Sequence, residues 1–412
     1  MAESNLAFLE NEEKLRSPVG EAHAAHPLVL VLGGSTFMGR ETVEAFLQMP
    51  ARVCVVNRGR SYWGTRDPSG GRVARVTADR RDKSEFSQRI DTVTARQIES
   101  WSLVADFSAY DGDDITAALQ GLRGRFHTYA YISSDSVYEV SALAGAGWAS
   151  SSASTHVSES CSQRPADAAT KSRLRKADSY GHGKLEAEEV LAAGVQNDQK
   201  AGAHARAIAL RLPDVLGPYD DTFRLWAYWH WWRAGDENRP QVQKSLKRPS
   251  PDSTEVDSGP PLAFVFSRDV ARFLVHLTRL PVRNEAAFDA VNLGCDLQLP
   301  LKGFLELLAK VSGMPGASPI AVDRPKSFLP SVDRPLHLDF RKLKEQYTFM
   351  CTPLEEVLKV CADWFAEACG SFPQEAAEAA MKLPQSARAP ALAHSGLEMP
   401  TPRSSSSSSS SV

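Results

Sequence analysis

Residues 27–39 read PLVLVLGGSTFMG, and the fold turns on this stretch. Alternating Leu and Val after Pro27 make an unbroken apolar run, the pattern of a strand buried on both faces in a parallel sheet. Gly33, Gly34 and Gly39 then bracket Ser35, Thr36, Phe37 and Met38, and RETVEAFLQM at 40–49 follows with helical spacing of its apolar residues. A glycine-rich turn between strand and helix lets backbone N–H groups and the helix N-terminus approach a pyrophosphate. Thr36 stands where a dinucleotide loop has its middle glycine, so an ordinary strand-to-helix turn is the alternative at this point.

Working outward, RVCVVN at 52–57, ARVTAD at 74–79, SLVADFSA at 102–109, HTYAYISS at 127–134 and RAIALRL at 206–212 read as further strands. Helical patterns such as DDITAALQGL at 113–122 lie between them. Strands alternating with helices predict an α/β fold, a Rossmann doubly wound parallel sheet. Residues 1–26 and 371–412 are expected to be tails, the latter a drift through Ala and Pro into a serine run. The Rossmann domain is expected over 27–217, with a surface insertion at about 142–177. A smaller mixed α/β substrate-binding region follows over 218–370, part of it returning to the core. It opens on WAYWHWW at 226–232, which reads as a helix core or as the wall of a pocket.

The 412 residues carry 47 Lys/Arg against 50 Asp/Glu, a net charge of -3 that argues against nucleic acid or an anionic membrane as the main partner. Residues 57–89 run the other way, with nine Lys/Arg against four Asp/Glu, which favours a phosphate-bearing ligand or a solvated basic loop. Six scattered cysteines lack the close pairing of a zinc site and read as reduced thiols; no metal is expected. The acidic N-terminus and the lack of a long apolar run predict a cytoplasmic protein with no membrane span.

Three groups of residues carry chemistry. After the second strand, Asn57, Arg58 and Arg60 stand where an NAD site commonly places a carboxylate on the ribose, which slightly favours NADP over NAD. Tyr180 and Lys184 in YGHGK lie one turn apart on a helix, where an ammonium stabilises a phenolate and brings a phenol of pKa about 10 towards working range. His182, between the glycines, reads as a surface residue without a role. Finally, YISSDSVYE at 131–139 ends a strand with Ser134 and Ser136, placed to hold a substrate oxygen or simply to turn the chain.

In this order, the pieces resemble the extended short-chain dehydrogenase/reductases, the NAD-dependent epimerase/dehydratase family, over roughly residues 27–370. The resemblance implies that Gly33 to Gly39 cradle the cofactor and that Asp79 and Arg80 of ADRRD lie near its adenine. It puts Ser108 of DFSAY behind the nicotinamide ribose and makes Pro213 of RLPDVLGPYD a nicotinamide contact. Ser134, Tyr180 and Lys184 take the family's catalytic positions. Thr36, the Phe37 that follows it and the strand end NRG are most similar to an atypical branch that includes chloroplast stem-loop-binding proteins. Asp135 matches the acid of sugar-nucleotide 4,6-dehydratases, but Ser136 replaces their Glu, which ranks elimination below epimerisation or reduction.

The implied activity is an NAD(P)-dependent oxidoreductase or epimerase acting on a carbinol or carbonyl carbon, with a nucleotide sugar as the prior substrate. A homodimer is common in the resembling family. The rival reading, from another class, is a cofactor-binding protein that interacts with RNA or protein and catalyses little. The sequence shows no nucleic-acid-binding motif, which counts against it.

Overall fold

A computed structural model describes residues 26–60, 63, 72–146, 155–244, 259–280, 286–332, 334 and 336–397. Most of the expected N-terminal tail, the middle of the 142–177 insertion, residues 245–258 and the serine run lie outside the described residues.

Strands β1 (Leu28–Leu32), β2 (Arg52–Asn57), β3 (Val73–Thr77), β4 (Trp101–Asp106) and β5 (Phe126–Ser134) join strands Arg206–Leu212 and Phe288–Asn292 in a seven-stranded sheet. Every pairing in it is parallel, with Val29 of β1 opposite both Val53 and Leu103. Helices α1 (Phe37–Leu47), α2 (Lys83–Ala95) and α3 (Gly112–Leu122) follow β1, β3 and β4.

The period of two in β1 explains why the sheet is covered twice. Leu28, Leu30 and Leu32 enter one core with Phe86 and Ile90 of α2, Ile115 and Ala118 of α3, and Ala187 and Leu191. Val29 and Val31 enter the other with Val43 and Phe46 of α1 and Val270, Phe273 and Leu274 of helix Ser267–Leu277. Each fully buried Val or Leu contributes about 1.5–3 kcal/mol, so neither face tolerates a polar residue. The chain passes from β1 to β2 and β3 on one side, and β4 and β5 lie on the other. The crevice at the carboxyl ends of β1 and β4 is therefore the switch point where such sheets bind ligands.

The chain divides into two compact units, residues 1–221 with 260–299 and 331–357, and residues 222–259 with 300–330 and 358–412. In the first, residues of the expected surface insertion are partly internal. Val157 of strand Thr155–Val157 and Leu174 of helix Ala168–Ala177 are buried with Val137, Tyr138, Leu185 and Leu338. Two apolar side chains in a polar segment sufficed.

In the second unit, helix Arg224–Trp232 buries every residue from Leu225 to Trp232. Trp226 stacks on Phe365 with ring centroids 5.4 Å apart, so the aromatic run is core. The expected tail at 371–412 is corrected over its first part. Helices Pro373–Met381 and Gln385–His394 bury Ala376, Ala377, Ala379, Ala380, Ala391 and Leu392. Alanine is the strongest helix former and is small enough for close helix packing, so low hydrophobicity did not prevent burial.

Candidate active site

The loop after β1 is tied to the sheet by Gly33 N, which donates to Val56 O at 2.9 Å. Gly39 presses so closely on it that a Cβ there would lie 2.6 Å from Gly34 N, and Gly34 itself has φ +82. Thr36 has φ -146, extended backbone open to any residue, and its hydroxyl does not cap α1. No acidic residue occupies the first turn of α1. A helix end with a closely cradled backbone and no acidic residue in its first turn fits a dinucleotide's pyrophosphate.

At the end of β2, Asn57 Oδ1 accepts from Gly59 N at 2.8 Å, and Arg58 and Arg60 are exposed. Asp79 lies near Arg58, and hydrogen bonds from Arg81, the shortest 2.6 Å, hold its carboxyl down at about 2. Arg80 departs from expectation. Its guanidinium is buried, bonds Asp106 and Ser108 Oγ, and faces Asp114. Only its backbone is left for a cofactor, because the carboxylate at the end of β4 draws the side chain inward. Pro213 is buried just after strand Arg206–Leu212.

Ser134, Tyr180 and Lys184 do converge, at the carboxyl end of β5. Tyr180 and Lys184 sit on helix Ser179–Lys200, whose N-cap Asp178 accepts from Gly181 N at 2.8 Å. Gly181 is required there, since a Cβ would lie 2.4 Å from Ser136 O. Lys184 is buried and donates to Ala109 O at 2.8 Å and Ile132 O at 2.9 Å. Its ammonium is 5.6 Å from the centre of the Tyr180 ring. Burial lowers the Lys184 pKa to about 8, against the opposing pull of Asp106. Tyr180 keeps 46% of its surface exposed, yet burial of its polar end raises its pKa to about 12, with a hydrogen bond to Ser134 acting the other way. His182, expected at the surface, is only 8% exposed, with Nδ1 2.9 Å from Arg164, because the flanking glycines let the helix pack closely on its neighbours.

Three charged residues lie beside this group: Asp135, matched in sequence to a dehydratase acid, and Glu139 and Arg334, to which the sequence assigned no role. Asp135 accepts from Ser134 Oγ at 3.3 Å and from Arg334 at 3.3 Å, and burial raises its pKa to about 6. Glu139 lies 2.7 Å from Arg334 Nε, and burial raises its pKa to about 7. Glu139 is inside the quoted YISSDSVYE; a 3-10 turn, Asp135–Val140, brings it round to Arg334. Nothing near Arg334 in sequence signals this partnership, since almost two hundred residues separate it from Asp135. Behind β5, Arg211 and Glu188 form a buried pair at 2.7 Å, and Glu188 also accepts from Ser133 at 2.6 Å.

The raised pKa of Asp135 gives a signed expectation. The folded state favours the neutral acid, so its contribution to stability is full below about pH 4 and is lost as pH rises through about 6. Asp135→Asn, which mimics the neutral form, is expected to gain on the order of 1–3 kcal/mol over the parent at pH 8 and nothing near pH 4. Urea unfolding at the two pH values measures this; a difference independent of pH would contradict it.

The profile of the NAD dependent epimerase/dehydratase family matches residues 29–294. No curated protein matches the chain in sequence. Among solved structures, it is similar to dTDP-glucose 4,6-dehydratase from Bacillus anthracis in complex with NAD, at 12% identity and TM-score 0.59, covering 84% of this chain and 98% of that one. UDP-glucose 4-epimerase from Thermotoga maritima with UDP-glucose gives 15% identity, TM-score 0.57 and coverages of 83% and 99%. A UDP-galactose 4-epimerase gives 16%, 0.56, 82% and 99%. At these identities the structural likenesses establish the shared Rossmann architecture. The cofactor in the family's description is NAD, and these comparisons do not support the slight preference for NADP expected from Arg58 and Arg60. The match over most of the first unit, together with the glycine loop and the convergent Ser, Tyr and Lys, makes this chain a member of the NAD dependent epimerase/dehydratase family, an enzyme of that class.

Proposed function

We propose that this enzyme exchanges hydride at a carbinol carbon of a nucleotide sugar, with Tyr180, Ser134 and Lys184 handling the hydroxyl proton. The observation that carries the proposal is the meeting of the Ser134 and Tyr180 hydroxyls with the Lys184 ammonium 5.6 Å from the Tyr180 ring. Bound NAD supplies the hydride acceptor and donor. Tyr180 takes the proton of the substrate hydroxyl and returns it, while Ser134 holds the same oxygen. Lys184, fixed by two carbonyls, orients the ribose side and supports negative charge on the phenol. Burial raises the pKa of the Tyr180 phenol to about 12, against the Ser134 hydrogen bond, so Tyr180 must give up its own proton before it can take the substrate's.

The backbone from Gly33 to Gly39 would hold the pyrophosphate, Asn57 and Arg58 the adenosine ribose, Asp79 the adenine, and Ser108, Pro213, Tyr180 and Lys184 the nicotinamide half. Asp79 near Arg58 offsets part of the charge that a 2′-phosphate would seek, which favours NAD. The six thiols, none in a disulfide, support the cytosol as its compartment, and no described helix is long and apolar enough to cross a membrane.

The RNA-interacting alternative is weakened by the fate of the basic stretch. Arg80 is internal, Arg81 pairs with Asp79, Lys83 with Asp114 and Arg89 with Glu85, so these four basic residues are matched by carboxylates.

Calorimetric titration with NAD+ and NADP+, on the parent and on Arg58→Ala, tests the cofactor assignment. Binding of NAD+ is expected, weakened about fivefold when Arg58→Ala removes one contact to the ribose, with NADP+ weaker and weakened further. UDP-glucose is then the first substrate probe, read as conversion to its C4 epimer. Failure to bind either dinucleotide would discard the enzymatic reading.

A further inference from the structure

We propose that a cleft in the second unit binds the phosphate of a small phosphomonoester whose body is apolar or aromatic. Arg224, Lys326, Ser327, Phe328, Met381 and Lys382 line it, all within that unit. The inference stands apart from the cofactor and substrate readings above, which rest on residues of the first unit.

The lining holds three cations and no carboxylate. Neither Lys326 nor Lys382 pairs with an acid among the described residues, whereas Lys302 pairs with Glu306, Lys342 with Asp289 and Lys359 with Asp363. Partial burial and then the charges of Arg388 and Lys382 hold the Lys326 ammonium below its ordinary pKa, and no carboxylate acts against them. Part of this cluster has a local reason. Lys382 follows the last residue of helix Pro373–Met381, where a cation suits the negative pole, and Arg388 Nε donates to Leu383 O at 3.1 Å just beyond it. Helix ends do not explain Lys326, which arrives from a separate segment, DRPKSF at 323–328. Lys326, Lys382 and Arg388 all lie beyond residue 294, where the family match ends, so membership assigns them no part.

The cations are carried on fixed backbone. The hydroxyl of Tyr228, a fully buried residue, accepts from Phe328 N at 3.0 Å and lies 3.0 Å from Ser327 Oγ. The Phe328 ring meets Tyr228 edge-on with centroids 4.8 Å apart and tilts on Trp231 at 5.6 Å. Lys326 N donates to Gln241 Oε1 at 3.3 Å. On the other side, fully buried Ala379, Ala380 and Leu383 anchor the chain around Lys382. Groups ordered in advance lose less freedom when a ligand arrives. A dianionic phosphate relieves the repulsion among Lys326, Lys382 and Arg388 in a single step. Phe328 and Met381 supply the apolar side for the rest of the ligand. The cleft, about 350 Å³, is at the small end of ligand cavities, which suits a phosphate joined to one ring.

The test is calorimetric titration of the full-length protein with phenyl phosphate and with inorganic phosphate, at low salt with excess NAD+ present. Saturable binding is expected, with phenyl phosphate about fivefold tighter for the contact of its ring with Phe328 and Met381. Lys326→Gln and Lys382→Gln should each weaken it about tenfold, the loss of one charge-assisted bond. Lys326→Arg should keep most of the affinity, and Lys359→Gln, which removes a paired lysine of the same unit, should leave it unchanged. Thermal unfolding shows that each variant keeps the fold. Equal affinity in the parent, Lys326→Gln and Lys382→Gln overturns the site, as does an absence of saturation. Binding that persists in excess UDP-glucose supports a separate ligand; displacement by UDP-glucose makes the cleft part of the substrate site and overturns it.

Discussion

Tyr180→Phe is expected to lower turnover of a nucleotide-sugar substrate by about a hundredfold or more while dinucleotide affinity stays within about twofold. The substitution removes one oxygen and leaves the ring. Lys184 keeps its bonds to Ala109 O and Ile132 O, neither of which involves Tyr180. The ring still meets Tyr110 edge-on, with centroids 6.3 Å apart, so the local fold has no reason to move. What disappears is the group that exchanges the hydroxyl proton. Ser134 does not replace it, because an aliphatic hydroxyl is a far weaker acid than a phenol of pKa about 10. Steady-state kinetics alongside calorimetry separate the two quantities. An unchanged rate removes Tyr180 from the mechanism, and lost cofactor affinity makes it a binding residue.

Asp106→Ala is expected to cost about 3–5 kcal/mol of unfolding free energy, the largest effect on stability of any substitution considered. Asp106 is fully buried at the end of β4. It accepts from Arg80 Nη2 at 2.7 Å, from the Tyr129 hydroxyl, and from the backbone of Ser108 and Ala109 at 3.0 and 3.1 Å. Burial alone would raise its pKa, but Arg80 and Tyr129 hold it below the usual carboxylate value. Alanine leaves the Arg80 charge inside the protein, with Asp114 its remaining acidic neighbour at 3.6 Å. Asp106→Asn combined with Arg80→Met removes both charges while keeping an acceptor for the backbone, and should recover more than half of the loss. Chemical unfolding of the two variants measures this. A loss below about 1 kcal/mol for Asp106→Ala would show that the pair contributes little beyond its desolvation cost.

This pair also marks where sequence reading reached its limit. Arg80 and the DFSAY segment that Asp106 opens look like separate pieces of a cofactor site when read along the chain, Arg80 just after β3 and Asp106 the last residue of β4. In three dimensions the arginine turns inward, because a buried carboxylate holds a guanidinium more strongly than solvent does. The same limit applies to Glu139 and Arg334. Their pairing depends on a loop returning from the far end of the sequence, and a lone arginine between prolines carries no periodic signal.

By itself, the sequence determined the doubly wound sheet, the glycine loop at its switch point and the meeting of Tyr180 with Lys184. These follow from local physics. An apolar run of period two must be covered on both faces, a glycine turn must admit a close backbone, and residues four apart on a helix share a face. Only the tertiary structure decided that Arg80 supports the core, that the alanine-rich segment after 372 is packed helix, and that Asp135 and Glu139 share Arg334. It also gave the Thr36 hydroxyl a partner in Tyr219 O. Each of these depends on which distant group lies within about 3 Å and how much water is excluded there, and neither quantity is carried by residue order.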